Sequence, residues 1–213
     1  MYPDRMLQDF VGFAVVAGLL TMLPGIDTAQ ILRSAALGGP RMAYATLGGI
    51  MAGVFAWGIA AALGISALLV ASQTAYDALR IAGGLYLLYL GIRIIANARR
   101  GHAGAVEARS GNASPAWSGV LSRAFVITLT NPKNGLFYIA MLPQFLPDGM
   151  PAAIGGLALA TIHNLECLAW FSLLIWSTNL ARTFFQRPAV QTWLERISGL
   201  ALVGFGVRVV LER

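Results

Sequence analysis

Residues 120–146 read VLSRAFVITLTNPKNGLFYIAMLPQFL, and the polar segment Thr130-Asn131-Pro132-Lys133-Asn134-Gly135 interrupts this apolar run. The run is long enough to cross the roughly 30 Å hydrocarbon core of a bilayer. Proline removes a backbone N–H and clashes with the preceding turn, and glycine loosens a helix further. This stretch therefore predicts a transmembrane helix that is broken or sharply kinked.

A second interruption lies in the first apolar run, where residues 23–27 read LPGID. A break at membrane depth leaves amides and carbonyls without helical partners, which is tolerated only where protein or a watery cavity satisfies them. Matched breaks in two halves of a membrane protein therefore indicate a binding site. The alternative is that each proline only bends a helix for packing, but the ionisable residue beside each break favours a site.

The whole chain is unusually apolar, since 57% of its 213 residues are hydrophobic and 11% are charged, against about 45–50% and about 25% in soluble domains. We predict an all-α, polytopic transmembrane helix bundle that forms one domain. Its six candidate membrane segments are Leu7–Leu32, Ala43–Ala71, Leu79–Ala96, Val120–Leu146, Ala152–Ala181 and Ile197–Leu211. The last segment is short, so five crossings remain an alternative to six.

The two halves of the chain resemble each other, most clearly where Arg80-Ile81-Ala82-Gly83 matches Arg196-Ile197-Ser198-Gly199. Because each half has three segments, the second half would enter the membrane from the opposite face. We predict a 3+3 inverted repeat of 1–96 and 120–213, with a broken first helix in each half and a flexible loop at 97–119. Chance similarity of low-complexity apolar sequence is the alternative.

Arginine and lysine side chains resist translocation, so their distribution predicts orientation. Ten arginines fall in connections on one side: Arg33, Arg41, Arg93, Arg99, Arg100, Arg109, Arg123, Arg182, Arg187 and Arg196. Four fall on the other: Arg5, Arg80, Arg208 and Arg213. We therefore expect loop 97–119 to be cytoplasmic and both termini to be periplasmic. Because the basic residues are spread singly, we expect lipid head groups rather than nucleic acid as their partners.

Asp27 follows the first break, and Lys133, the only lysine of the chain, lies in the second. A charge at the bilayer centre costs at least about 2.5–3.5 kcal/mol, so it usually has a partner or a function. The two residues could form an ion pair between the halves, either at a binding site or only as a structural pair. Asn131, Asn134 and Gln144 are candidate neutral partners.

His163 and Glu166 lie three residues apart in the fifth apolar segment, so on a helix they are near one face. Such groups could exchange protons, and we take Asp27, His163 and Glu166 as candidates for proton coupling. A hydrogen-bonded core cluster, or a glutamate near the membrane interface, is the alternative.

The sequence resembles the lysine exporter superfamily, in its LysE/RhtB branch of amino-acid translocators. The resemblance is carried by Leu23-Pro24-Gly25 with Asp27, Leu47-Gly48-Gly49, Ala62-Leu63-Gly64-Ile65, Gly84-Leu85-Tyr86-Leu87-Leu88-Tyr89-Leu90-Gly91, Thr130-Asn131-Pro132-Lys133-Asn134-Gly135 and Leu142-Pro143-Gln144-Phe145. It implies a proton-driven exporter of amino acids or their derivatives in the bacterial cytoplasmic (inner) membrane.

By this resemblance, Pro24, Gly25, Asp27, Asn131, Pro132 and Lys133 fall on motif positions, and with Asn134 they are the expected substrate-binding residues. The family commonly reads Pro-Gly-Pro at the first break, whereas Ile26 stands here in place of the second proline. The first kink is therefore expected to be gentler.

Three other function classes are alternatives: a membrane-embedded enzyme, a metal-ion exporter of related architecture and a purely structural membrane subunit. The last would leave the paired breaks and their charges unexplained. The sequence has no HExxH or GxSxG motif, one cysteine, Cys167, and two histidines, His102 and His163. We therefore expect neither an enzyme nor a metal or cofactor site. The substrate, the coupling ion and the oligomeric state, with a homodimer as one option, are left open by the sequence.

Overall fold

Seven helices make up the described part of the chain in a computed structural model, which describes residues 2–98, 116–147, 149–177 and 187–211. They are α1 (Tyr2–Met22), α2 (Ile26–Ala71), α3 (Gln73–Ala98), α4 (Trp117–Leu129), α5 (Pro132–Phe145), α6 (Ala152–Trp176) and α7 (Pro188–Leu211). By length and composition, four stretches could cross a membrane: Arg5–Met22, Ile26–Leu68, Gln73–Ala96 and Ala152–Trp176. Within the described ranges every regular element is a helix, which confirms the predicted all-α, polytopic bundle.

Both predicted helix breaks are present. The chain leaves the helix after Met22 and re-enters it at Ile26, and Gly25 between them is extended, with φ −161° and ψ −166°. In the second half, α4 ends at Leu129 and α5 begins at Pro132, where a missing N–H costs nothing because first-turn amides have no helical acceptor. Helix α1 ends completely at the first break even though Ile26 stands in place of a second proline.

The connection between the first two predicted membrane segments differs from the prediction. Helix α2 continues past Leu32 to residue 38 and then changes direction at Gly39, whose φ is +69°, before Pro40 starts the next helical stretch. Glycine adopts this left-handed conformation without steric cost, and proline is preorganised for a helix start. The first two predicted segments are therefore joined by a sharp glycine turn rather than by a loop.

Other boundaries moved because apolar length marks the lipid-facing part of a helix, whereas caps mark its ends. Helix α3 starts at Gln73, six residues before the predicted Leu79, because the hydroxyl of Ser72 accepts a hydrogen bond from the Ala75 amide at 3.2 Å. Helix α7 starts at Pro188 rather than at Ile197. Loop residues 99–115 and the predicted segment end at Ala181 lie outside the described residues.

Two pairs of helices pack closely at glycine residues, which have no side chain to keep the neighbouring helix away. A Cβ added to Gly91 of α3 would lie 2.6 Å from the carbonyl oxygen of Gly199 in α7, and one added to Gly206 would lie 2.9 Å from that of Gly84. Helices α2 and α6 meet similarly, with Gly58 against Ala160 and Gly156 against Ala62. These small residues let the helices pack closely, as in many membrane bundles.

Candidate functional site

The two helix breaks meet around one small cavity near the centre of the bundle. Its walls come from α1, α2, α5 and α6 and the break residues: Leu20, Thr21, Leu23, Gly25, Ile26, Asp27, Thr28, Val54, Asn131, Lys133, Asn134, His163, Cys167 and Phe171. The cavity measures about 20 Å³, which is room for a water-sized molecule only. The structure therefore places five of the seven predicted substrate-binding residues, Gly25, Asp27, Asn131, Lys133 and Asn134, at one cavity.

Asp27 is held by donors from the second half of the chain. Its Oδ1 accepts a hydrogen bond from the Thr128 hydroxyl at 3.1 Å, and its Oδ2 accepts one from the Asn134 amide at 3.3 Å. Gln30, one turn later on α2, also donates to Oδ1, at 3.4 Å. These bonds fix the carboxylate at the start of α2, where the helix dipole favours a negative charge.

Lys133 caps the end of the first helix. Its Nζ donates to the backbone oxygen of Leu20 at 3.2 Å. In a continuous helix this carbonyl would accept from the residue four positions later, but that residue is Pro24, which has no N–H. The ammonium therefore supplies the donor that Pro24 lacks, at the negative end of the α1 dipole.

The two charges share the cavity without a direct bond. Among the described contacts, no hydrogen bond joins Lys133 to Asp27, so the two charges do not form the direct ion pair that the sequence allowed. Each charge instead lies at the oppositely signed helix end created by the first break: Lys133 at the end of α1 and Asp27 at the start of α2. Both residues line the same cavity.

The remaining predicted break residues support this arrangement. The side chain of Asn131 accepts a hydrogen bond from the Lys133 amide at 3.0 Å and so caps the N-terminus of α5. A Cβ added to Gly25 would lie 3.6 Å from Lys133 Nζ, so the glycine leaves room around the ammonium. Pro24 and Pro132 act through the backbone, the first by freeing a carbonyl and the second by starting α5.

His163 lines the cavity and is hydrogen-bonded on both ring nitrogens. Its Nε2 lies 3.1 Å from the hydroxyl of Thr21, and its Nδ1 lies 3.0 Å from the hydroxyl of Tyr138. The Thr21 hydroxyl also donates to the Ala17 carbonyl at 2.9 Å. The ring of Phe137 packs against the imidazole, with ring centroids 5.4 Å apart.

Glu166 lies away from the cavity wall, although it is on the same helix as His163. Its carboxyl packs over Gly18 of α1, where an added Cβ would lie 3.4 Å from Oε1. Within the described part of the chain, its buried Oε2 has no hydrogen-bond partner. The structure thus separates the two fifth-segment candidates, with His163 at the cavity and Glu166 behind it.

Gln144 was a wrong candidate for a partner at the site. Its Nε2 donates to the Arg80 carbonyl at 2.8 Å, so it links α5 to α3. Conversely, sequence reasoning missed Thr21, Thr128 and Tyr138, which hold His163 and Asp27. Thr128 lies one turn before the second break, a position at which a polar residue in an apolar run could have been noticed.

The comparisons decide the family. The family model described as LysE type translocator matches residues 19–213. The chain belongs to this family. This membership identifies a translocator, as the resemblance implied, and the apolar helices agree with a multi-pass membrane protein.

Among its relatives, the chain is 27% identical to the leucine efflux protein of Enterobacter sp. (strain 638), over 98% of each chain. It is 28% identical to the threonine efflux protein of Salmonella typhi, over 98% of this chain and 100% of that protein. It is also 23% identical to the membrane protein YrhP of Bacillus subtilis, over 97% of this chain and 100% of that one. No solved structure matches the chain.

Proposed function

We propose that this LysE-family translocator exports amino acids or amino-acid derivatives across the bacterial cytoplasmic membrane by a proton-coupled mechanism. The observation that carries the proposal is the placement of Asp27 and Lys133, opposite charges at one cavity between two broken helices. The leucine and threonine efflux proteins among its relatives support the amino-acid class.

The two charges match the two ends of a zwitterion. The substrate ammonium binds the Asp27 carboxylate, which Thr128 and Asn134 already orient. The substrate carboxylate binds Lys133 and the unpaired first-turn amides of α2. The bound substrate carboxylate competes with the Leu20 carbonyl for the Lys133 ammonium. Substrate binding therefore releases a contact between α1 and α5.

Export requires the cavity to open alternately to the two sides, because a space of about 20 Å³ is smaller than an amino acid. The predicted 3+3 inverted repeat supplies two bodies that could tilt against each other. The helix breaks at Pro24 and Pro132 support this repeat, because corresponding segments of the two halves are interrupted. Free carbonyls near both breaks are also capped across the halves, Leu20 by Lys133 and Leu129 by Trp57 Nε1 at 3.0 Å.

For the coupled proton, we favour the two carboxyls among the three candidates. Asp27 contacts the substrate position directly, so protonation would release the substrate ammonium. Glu166 lies one helix position from Cys167, which lines the cavity, and its unpaired Oε2 could take up a proton. His163 is less suited, since both its ring nitrogens are engaged by hydroxyls.

The arrangement in the membrane is part of the proposal. We propose a cytoplasmic loop at 97–119 and periplasmic termini, because positive residues favour the cytoplasmic side. The halves 1–96 and 120–213 are the proposed moving units. The proposed partners are a small-molecule substrate in the cavity and membrane lipids against the outer apolar faces. A homodimer is proposed as the assembly to test by cross-linking in membranes.

The proposal is tested by counterflow in proteoliposomes that contain purified protein and a panel of radiolabelled amino acids. We expect exchange of at least one amino acid above protein-free liposomes, and net efflux that responds to an imposed pH gradient. No exchange of any amino acid would overturn the proposed export. Exchange with net transport independent of the pH gradient would overturn only the proton coupling.

A further inference from the structure

The second helix break leaves one carbonyl that receives its donor from another helix. Helix α4 ends at Leu129, and hydrogen bonds from Thr130 and Asn131 satisfy the carbonyls of the three residues before it. In a continuous helix the Leu129 carbonyl would accept from the Lys133 amide, but that amide donates to the side chain of Asn131. Leu129 is 36% exposed, and lipid offers a carbonyl no donor. A donor from elsewhere in the bundle is therefore required.

Trp57 of α2 supplies this donor and also contacts the other side of the break. Its Nε1 donates to the Leu129 carbonyl at 3.0 Å. The six-membered ring of the same indole lies against the first turn of α5, where a Cβ added to Gly135 would lie 2.6 Å from Cζ2 and from Cη2. The indole fits there because residue 135 has no side chain. One side chain of the first half thus contacts the end of α4 and the start of α5.

The two contacts of this indole each lie one residue from a donor to Asp27. Leu129 follows Thr128, whose hydroxyl donates to Oδ1 of the carboxylate. Gly135 follows Asn134, whose amide donates to Oδ2. Because the helix is interrupted between these two donors, no continuous ladder of backbone hydrogen bonds fixes their separation. A contact that bridges the break can do so.

The face of α2 that carries Trp57 follows α4 up to the break. Gly53 lies four residues earlier on the same face, and a Cβ added to it would lie 2.9 Å from the Cβ of Thr128. The small residue lets α4 pack against α2, and the large indole comes at the level where α4 ends. The change from glycine to tryptophan along this face therefore coincides with the end of α4.

We infer that Trp57 is a positioning residue of the substrate site, which joins α4 to α5 across the second break and so keeps Thr128 and Asn134 together on Asp27. This inference rests on the proposed export function and adds a residue to it. The two halves then act reciprocally. Lys133 of the second half satisfies the first break, and Trp57 of the first half satisfies the second.

The first test is Trp57→Phe, which removes the N–H and keeps an aromatic ring beside the break. The measurement is the concentration dependence of counterflow, with the radiolabelled amino acid that wild-type protein exchanges fastest in a panel that includes leucine and threonine. We expect the half-saturating concentration to rise about fivefold, as for the loss of one hydrogen bond. Trp193→Phe, the same substitution at a 62% exposed position of α7, is the control and should leave it unchanged.

The half-saturating concentration separates positioning from a purely structural role. Loss of folded protein lowers the maximal rate for a given amount of protein, but it leaves the half-saturating concentration of the remaining protein unchanged. Thermal unfolding in detergent measures the folded fraction. Gly135→Ala is a second variant, which keeps the tryptophan and displaces its ring, and we expect a similar loss of affinity.

A double variant tests whether the indole N–H acts through Thr128. Once Thr128→Val has removed the hydroxyl, the end of α4 no longer carries a donor to be positioned. We therefore expect Trp57→Phe combined with Thr128→Val to have an affinity within about twofold of that of Thr128→Val alone, because residues that act through one another are not additive.

The outcomes separate this inference from the export proposal. A wild-type protein that exchanges no amino acid of the panel would overturn the export proposal and this inference with it. An active protein whose half-saturating concentration is the same in wild type, Trp57→Phe and Gly135→Ala would overturn this inference alone. A full fivefold loss on top of Thr128→Val, or an equal loss in Trp193→Phe, would also contradict it.

Discussion

Lys133 Nζ donates to the backbone oxygen of Leu20, 3.2 Å away, and so replaces the hydrogen bond that Pro24 cannot make. One side chain of the second half thereby completes a broken helix of the first. The same ammonium faces the cavity, so the group that satisfies the break is also available to a substrate carboxylate. The helix break and the binding site are therefore one structural feature.

Replacement of Pro24 by alanine restores an N–H four residues after Leu20. We expect the backbone to take over the Leu20 carbonyl, α1 to extend, and Lys133 to shift from its position. Counterflow should fall about 10- to 100-fold, because misplacement by about 1 Å is enough for such a loss. Thermal stability in detergent should be unchanged or higher, because the new backbone N–H can satisfy the Leu20 carbonyl without Lys133.

The control for Pro24→Ala is Pro151→Ala, the same substitution at an exposed position before α6. It should transport at the wild-type rate. If Pro24→Ala transports as well as this control, the free Leu20 carbonyl has no part in placing Lys133.

Replacement of Asp27 by asparagine removes the negative charge and keeps the size of the side chain. Thr128 and Gln30, which share one carboxylate oxygen, can still donate to the amide oxygen. Asn134 donates to the other oxygen, and it can turn its side-chain amide to accept from the new NH2 group, so the protein should fold. Counterflow should drop at least about tenfold, because a desolvated ammonium would lose its counter-charge. Asp77→Asn on the exposed surface of α3 is the matched control, and equal rates for the two variants would exclude Asp27 from substrate binding.

Thr128 orients Asp27 from α4, and its replacement by valine removes the hydroxyl with little change of shape. A hydrogen bond to a charged acceptor contributes about 1.5–3 kcal/mol, so the apparent substrate affinity should fall by at least about tenfold. The measurement is the concentration dependence of counterflow. Thr161→Val, which removes a hydroxyl bonded to its own helix at Leu157, should leave the affinity unchanged, and a similar loss in both would argue against a specific role.

Replacement of Gly91 by alanine tests the close contact between α3 and α7. An alanine Cβ there would lie 2.6 Å from the Gly199 backbone oxygen, which cannot move aside as a flexible side chain would. We expect destabilisation by about 1–3 kcal/mol in thermal unfolding in detergent. Gly64→Ala, where an added Cβ meets nothing within 4 Å, should be neutral or stabilising. Equal stability of the two variants would contradict the close packing.

Local chemistry explains which features the sequence could predict. Proline removes a helical N–H wherever it stands, and the polar or glycine residues beside Pro24 and Pro132 made the two breaks predictable from the sequence, whereas Pro143 stays inside α5. Apolar length located the membrane helices but not their ends. The start of α3 depends on the hydrogen bond accepted by the Ser72 hydroxyl, and the turn at Gly39 depends on a left-handed backbone conformation.

The contacts across the bundle could not be predicted in this way. A direct Asp27–Lys133 pair was one possibility, but Lys133 bonds to the Leu20 carbonyl and Asp27 to donors from the second half of the chain. The bond between Tyr138 and His163 joins residues 25 positions apart, and Thr21 is 142 positions from the same imidazole. Their pairing depends on helix packing, which periodicity does not specify.

The central claim is that Asp27 and Lys133 bind the two charged ends of one substrate molecule. The most direct test is inhibition of radiolabelled leucine counterflow in wild-type proteoliposomes by two analogues, the amine that lacks the carboxylate and the acid that lacks the ammonium. We predict that unlabelled leucine competes and that neither analogue does at the same concentration. Competition by either analogue as strong as that by leucine would contradict the claim, because one of the two charges would then be dispensable.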